Sequence, residues 1–280
     1  MEKTKVLYIM GIGRSGSTIL GIVLGNLKEY FFAGEMQLWI ESKGVPTERE
    51  DAIKYWEQIA INIPDREDYF NTDFERQLEF HTALPALVGS HNKPVIEKFH
   101  KLSAELFDSI KKVTGCSVIV DSSHYPLRAY WLHKNPALDM HYLYLYRDPV
   151  DAINALMKKN VEQIPKSFFS ANLYLFVVSV LSNFVYLLMP ANKKMKLRYE
   201  DLINCPNAVL TRVQKLLKTE LHTIDLNDLS TGHIFRANRI RLYKKIKLET
   251  EIKRTKTNFV LRSLIYLLHF PFILLNRRKC

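Results

Sequence analysis

Gly11-Ile12-Gly13-Arg14-Ser15-Gly16-Ser17-Thr18 follows directly on the apolar run Val6-Leu7-Tyr8-Ile9-Met10, and its reading decides the fold. A mononucleotide-binding loop has the form GxxxxGK(S/T): backbone N–H groups cradle phosphate oxygens, the Lys reaches the terminal phosphates, and the hydroxyl holds magnesium. Gly11 and Gly16 keep that spacing and Thr18 stands at the hydroxyl position, but Ser17 occupies the place of the Lys. Such a loop still presents the unpaired N–H groups and the positive end of the following helix to an anion. It lacks the usual clamp on a β,γ-phosphate. Arg14 adds a planar, permanently charged fork inside the loop, better matched to phosphosulfate oxygens than to a magnesium-bound triphosphate. The expected ligand is an anionic nucleotide other than ATP. The plainer alternative is a Gly/Ser turn that merely joins a strand to a helix. Against it, the flanks are those the motif demands, a buried-strand run before and Ile19-Leu20 with Ile22-Val23-Leu24 opening an apolar helix after.

Working outward, Cys116–Val120 is a short β-branched run that feeds Asp121-Ser122-Ser123-His124 to a sheet edge. Met140–Tyr146 reads as a further strand ending in Arg147-Asp148-Pro149, and Lys194–Tyr199 as another, leading to Glu200-Asp201-Leu202 and a helix from about Asn207. A short segment, Tyr30–Glu35, lies between the loop helix and a new helix carrying Trp39. From 47 to 112 the pattern is helical, broken at Pro64, Pro85 and Pro94, a helical insertion of the kind that covers a site. Strands alternating with helices predict an α/β fold, a mainly parallel sheet flanked by helices, with ligands beyond the carboxyl ends of the strands. The loop 11–18, Ser122 to His124 and Arg147 then converge on one edge. At 280 residues and 47% hydrophobic content, residues 1–280 fit one domain with an insertion better than two domains.

The net charge of +11 is uneven: from Arg236 onward there are 13 Lys and Arg against 2 acids, while the rest of the chain is balanced. A basic segment over 236–280 suits nucleotide phosphates or an anionic membrane surface; nucleic acid is not expected, since no nucleic-acid module accompanies the charge. Within it Phe259–Leu275 is apolar but holds Arg262 and Pro271. It reads first as a core-packing helix and second as an interfacial helix in contact with a membrane. Three scattered cysteines, Cys116, Cys205 and Cys280, predict a reducing compartment without a disulfide framework. The apolar N-terminal run ends in the loop instead of a small-residue cleavage site, so the expected location is cytoplasmic, with peripheral membrane contact as the alternative.

Taken in order, GRSGST after a strand, DSSH, YRDP, RYEDL and GHIFRANRIR resemble the PAPS-dependent sulfotransferase family. The resemblance covers both ends and the middle of the chain and leaves only 47–112 without signature. It implies the P-loop-like sulfotransferase fold and 3′-phosphoadenylyl sulfate (PAPS) as co-substrate, with Gly13, Arg14, Ser15, Gly16, Ser17 and Thr18 around the 5′-phosphosulfate. It further implies Arg147 on the 3′-phosphate and Tyr199 beside the nucleotide. Where the family has a Ser eight positions after that Arg, this chain has Ala155, whose methyl cannot hydrogen-bond a phosphate, so either Asn154 substitutes through a local shift or the contact is lost. Arg239 and Arg241 are the expected 3′-phosphate residues of the C-terminal segment, although Ala237 stands where a Gly is usual.

Sulfuryl transfer needs in-line positioning, charge stabilisation and a base for the acceptor. Two residues compete for the base. Glu35 lies in a Gly-Glu segment resembling the one that carries the catalytic Glu of tyrosylprotein-type members. His124 stands where related members have a Lys that stabilises the bridging oxygen. With Glu35 as base, His124 is the charge stabiliser, with Arg14 beside it. No metal is called for. The acceptor, bearing a hydroxyl or amine, is a glycan, a lipid or a small alcohol. The rival readings are a P-loop small-molecule kinase, which Ser17 opposes, and a non-enzymatic membrane-associated anion-binding protein, which leaves the loop and YRDP unexplained.

Overall fold

The computed structural model describes residues 3–46, 48–87, 93–159, 165–252, 254 and 257–276. Five parallel strands form one sheet in the order β2-β3-β1-β4-β5: β1 Thr4–Gly11, β2 Tyr30–Gly34, β3 Val118–His124, β4 Leu138–Tyr146 and β5 Lys194–Arg198. β1 is the centre, running in unbroken register against β4 from Thr4↔Leu138 to Gly11↔Leu145. The chain leaves β1 towards one side of the sheet and, after β3, crosses to the other. The carboxyl end of β1 is therefore the point where the winding reverses, the place where such sheets leave a crevice.

Period-two alternation along β1 splits the core into two layers. Val6, Tyr8 and Met10 face one layer, with Trp56, Phe99, Phe107 and Trp131. Leu7 and Ile9 face the other, with Leu20, Val23, Val209 and Val213. The first layer is built by α2 Glu50–Ile61, α3 Arg66–Phe70, α4 Lys93–Thr114 and α5 Pro126–His133, with short 3-10 and π turns between Glu75 and Leu87. Of these, α2, α3 and α4 fall in the stretch read from sequence as helical, and α5 follows β3. The second layer is built by α1 Ser17–Gly25 together with α8 Tyr199–Asn204 and α9 Pro206–Leu217. At the flank stand α6 Pro149–Met157, α7 Phe168–Leu188 and α10 Phe259–Leu275, which share a third cluster with Ile12 of the loop. A two-stranded ribbon, β6 Leu229–Ser230 with β7 Lys245–Ile246, completes the described elements.

The α/β architecture and parallel sheet agree with the sequence reading, and Tyr30–Gly34 joins the sheet as its edge strand. α7 has no counterpart in that reading. Its 21 residues are apolar almost all round, so no helical period stands out against the background. The cysteine expectation needs a correction. Cys116 is buried and free, but Cys205 is disulfide-bonded. The inference from scattered cysteines to a reducing compartment thereby loses its support.

Candidate active site

The phosphate loop owes its shape to two glycines. Gly11 has φ 143°, and a Cβ there would lie 2.4 Å from the Leu145 carbonyl oxygen of β4; Gly16 has φ 96°, and a Cβ there would lie 2.3 Å from the Tyr199 ring. Both positions demand the left-handed region and have no room for a side chain. Gly16 precedes α1 without any side-chain cap, and no acid occupies the first turn. The leading N–H groups of α1 therefore meet no carboxylate of their own first turn, although Glu35 and Asp151 border the same crevice, and a helix start of this kind draws an anion.

Arg147, delivered by β4, secures the loop from the side. Its Nη1 donates to the Arg14 carbonyl oxygen at 3.0 Å, and its guanidinium lies 4.7 Å from the centre of the Tyr199 ring. Its Nε is buried without a hydrogen-bond partner in the protein. Asp148 then caps α6 by accepting from Val150 N–H at 2.9 Å.

Glu35 follows β2. Gly34, with φ 94°, has no room for a Cβ, which would sit 2.5 Å from the Arg236 carbonyl oxygen. This close approach lets the chain at 234–236 lie along the end of β2, with Phe235 N–H donating to Ala33 at 2.9 Å and Glu35 N–H donating to Arg236 at 2.8 Å. Arg236 is thus carried to Glu35. Burial raises the Glu35 carboxyl to about 7; Gln37, whose amide donates to it at 3.3 Å, works against that rise, and Asp121 adds to it. A carboxyl poised near neutrality and still reached by solvent is suited to general-base work.

His124 ends β3 at φ 53°. Its Nδ1 lies 3.3 Å from the Ser122 carbonyl oxygen, which can only accept, so Nδ1 carries the proton and Nε2 is turned towards Gly13. Burial holds its pKa below the ordinary value. The turn is braced by Ser123, which donates to Asp121 and accepts from Gln37 N–H at 3.1 Å. Asp121 in turn lies 3.7 Å from Arg128, whose other nitrogen is bonded to Glu79 of the insertion. Burial raises both carboxyls, and Arg128 opposes the rise.

These groups line one cavity of about 460 Å³. Of the residues expected from sequence, Gly13, Arg14, Gly16, Ser17, Thr18, Glu35, His124, Arg147 and Tyr199 all line it. Ser15 does not; it is buried beneath the loop. Asn154 does not either, because its amide is turned to Thr257 at 2.9 Å; Ala155 lines the cavity with its methyl, and Lys158, one turn beyond Asn154, brings the cation. In the C-terminal segment the lining comes from Arg236, whose guanidinium also reaches Glu41 at 3.4 Å and Ser42 at 3.1 Å, and from Ala237, Asn238 and Ile240, whereas Arg239 does not line it and Arg241 is bonded to Glu48 and the Ala237 carbonyl. The expectations for Asn154, Arg239 and Arg241 are corrected accordingly. Lys158 and Arg236, which line the cavity, carried a sequence signal only as cations near the expected positions. A second cavity of about 300 Å³, bordered by Trp39, Phe70, Phe74, Glu75 and Arg128, shares Gln37 with the first.

The profile of the sulfotransferase family matches residues 7–223. Among solved structures, the chain is similar to the sulfotransferase STF9 from Mycobacterium avium, with TM-score 0.55 and 9% identity over 100% of this chain and 78% of that one. It is also similar to a sulfotransferase domain from the curacin biosynthetic pathway, with TM-score 0.54 and 14% identity over 95% and 98%. A third likeness is to a sulfotransferase from Alicyclobacillus acidocaldarius, with TM-score 0.50 and 13% identity over 100% and 98%. At these identities the likenesses speak to the fold. A sequence search of curated proteins finds no match.

Proposed function

Because the chain belongs to the sulfotransferase family, we propose that it transfers a sulfuryl group from PAPS to a hydroxyl or amine of an acceptor. The observation that carries this reading is the convergence, in one cavity, of an uncapped helix N-terminus, four cations and a carboxyl raised to about 7. The loop N–H groups and Arg14 would hold the 5′-phosphosulfate. Arg147, Lys158 and Arg236 are the cations for the 3′-phosphate, and Tyr199 flanks the nucleotide.

In the reaction the acceptor oxygen or nitrogen forms a bond to sulfur while the bond from sulfur to the 5′-phosphate oxygen breaks. Glu35 takes the acceptor proton, and the bridging electron pair leaves with adenosine 3′,5′-bisphosphate. His124 meets that developing charge. Burial favours its neutral imidazole, and the negative charge of the donor favours protonation at Nε2, so that Nε2–H can donate to the leaving oxygen. The acceptor side is the second cavity, whose aromatic walls suit a ring or chain and whose border with the first at Gln37 leads to Glu35.

Thermal unfolding with adenosine 3′,5′-bisphosphate tests the reading. At one hundred times the dissociation constant, binding adds about 2.7 kcal/mol, a rise of roughly 5 °C for a chain of this size. Magnesium-ATP should give a much smaller rise. Equal stabilisation by the two ligands would favour the kinase alternative and sink this one.

A further inference from the structure

α7 and α10 lie side by side on the outside of the fold, and neither contains an Asp or Glu. They are joined by the Phe176–Phe272 ring contact at 5.4 Å and by Asn172 with His269 at 3.3 Å. α7 turns Leu175, Val178 and Val185 inward. It leaves Phe169, Leu173, Phe176, Val180, Phe184 and Leu187 outward, on the single stripe that helical periodicity produces. α10 fully buries only Ile265, His269 and Phe272, and the rest of its apolar surface is outward or partly so. Of the 22 large hydrophobic side chains exposed among the described residues, 16 belong to these two helices; Phe169, Leu187 and Leu267 are 76%, 75% and 74% exposed. Exposed apolar side chains concentrated on two adjacent helices mark a surface of interaction.

The border of this face is basic. Lys166 precedes α7, and Lys194 and Lys196 follow it, as does Lys193, which is paired with Asp139 at 2.6 Å. Arg254 precedes α10. Lys196 ties the pair together, donating to Asn183 of α7 at 2.8 Å and to the Leu275 carbonyl of α10 at 3.1 Å. Pairing this face with a second copy would set two basic rims against each other with no acid on either helix to relieve them. A surface of anionic headgroups relieves both at once. Spanning is excluded for α7 by its inner side, where Asn172, Ser179, Ser182 and Asn183 are buried against protein and Asn183 reaches the Tyr144 hydroxyl at 3.3 Å.

We propose that the α7–α10 face docks this protein on an anionic lipid bilayer, its apolar stripe entering the boundary between headgroups and acyl chains and its basic rim meeting the lipid phosphates. The layer is built into the site: the Gly13 backbone hydrogen-bonds Tyr174 of α7, and Tyr266 of α10 donates to Asp148 at 3.0 Å. This docking stands whether or not the reaction proposed above is correct, since it rests on other residues.

Flotation of the full chain with vesicles tests it. The wild type should float with vesicles containing about 30% phosphatidylserine, less with pure phosphatidylcholine, and less again at high salt. The triple variant Leu173→Ser, Leu187→Ser, Leu267→Ser removes only outward side chains. Its partition coefficient should fall by roughly a hundredfold, with the melting temperature and the bisphosphate-induced shift retained. Wild type that never floats, or a variant that floats equally well, overturns the proposal. So does flotation indifferent to lipid charge and salt, which needs no variant to observe. A wild-type dimer in sedimentation that the variant dissolves, without vesicle binding, would assign the face to a second copy instead.

Discussion

Glu35 is held in a place that favours its proton, and this sets opposite signs for activity and stability. Above about pH 7 the folded protein carries a charge that burial disfavours; below pH 4.5 the group is protonated in folded and unfolded chain alike. Its contribution is therefore a penalty absent in acid that grows as pH rises from 4.5 to about 7 and then stays constant. Glu35→Gln should raise stability at pH 8 by about 2 kcal/mol, discounted for partial solvent contact, and leave it unchanged at pH 4, as read by denaturant titration. The same variant should lower turnover by about 10²–10⁴ with bisphosphate affinity kept, and should abolish the rise of kcat/KM through pH 7. His124 makes a different prediction. His124→Ala should slow turnover, and His124→Lys should restore part of it, because a cation suffices at the leaving oxygen. If Lys at 124 is as damaging as Ala while Glu35→Gln is mild, His124 is the base.

At the scale of elements, the loop is held by its neighbours as much as by its own sequence. Gly16 packs against the Tyr199 ring, and Arg147 lies over that ring while bonding the Arg14 carbonyl. Gly16→Ala should cost about 2–4 kcal/mol, part strain at positive φ and part collision. Adding Tyr199→Ala removes the collision and leaves the strain, so the double variant should be more stable than the sum of the single losses implies, by about 1–2 kcal/mol in a double-mutant cycle. Simple additivity would show that the ring yields without cost. The strands and the loop were legible because a buried parallel sheet writes itself as apolar runs and the glycines stand at fixed spacing. Arg236 was not legible, since what brings it to the cavity is a backbone pairing across 200 residues of chain, enabled by the missing Cβ of Gly34. Lys158 was missed for a related reason: the turn of α6 that aims Asn154 at Thr257 also aims the next turn at the cavity. α7 escaped because an element apolar on all sides has no polar face to mark its period.

Over the whole molecule, the insertion and the sheet meet at a buried charge cluster, Glu79 with Arg128 and Asp121, beneath the turn that presents His124. Arg128→Met leaves two carboxyls without their cation in a dry place, and a loss of roughly 3–5 kcal/mol is expected by denaturant unfolding. The loss should shrink towards low pH, where both carboxyls take up protons. The segment at 234–236, lying along the end of β2, has a consequence for the order of events at the ribosome. The strands of the sheet and the glycine loop emerge first and can begin to pack as they appear, since domains build from the amino-terminal side during synthesis. The nascent chain would hold a sheet with an open crevice for as long as it takes to add the stretch from β5 to Arg236. During that interval the Glu35 N–H at the end of β2 lacks its carbonyl partner, and the crevice lacks one of its cations. A nucleotide could not be captured tightly by a half-made chain, so competence would arrive late and all at once, with the residues that seal the edge.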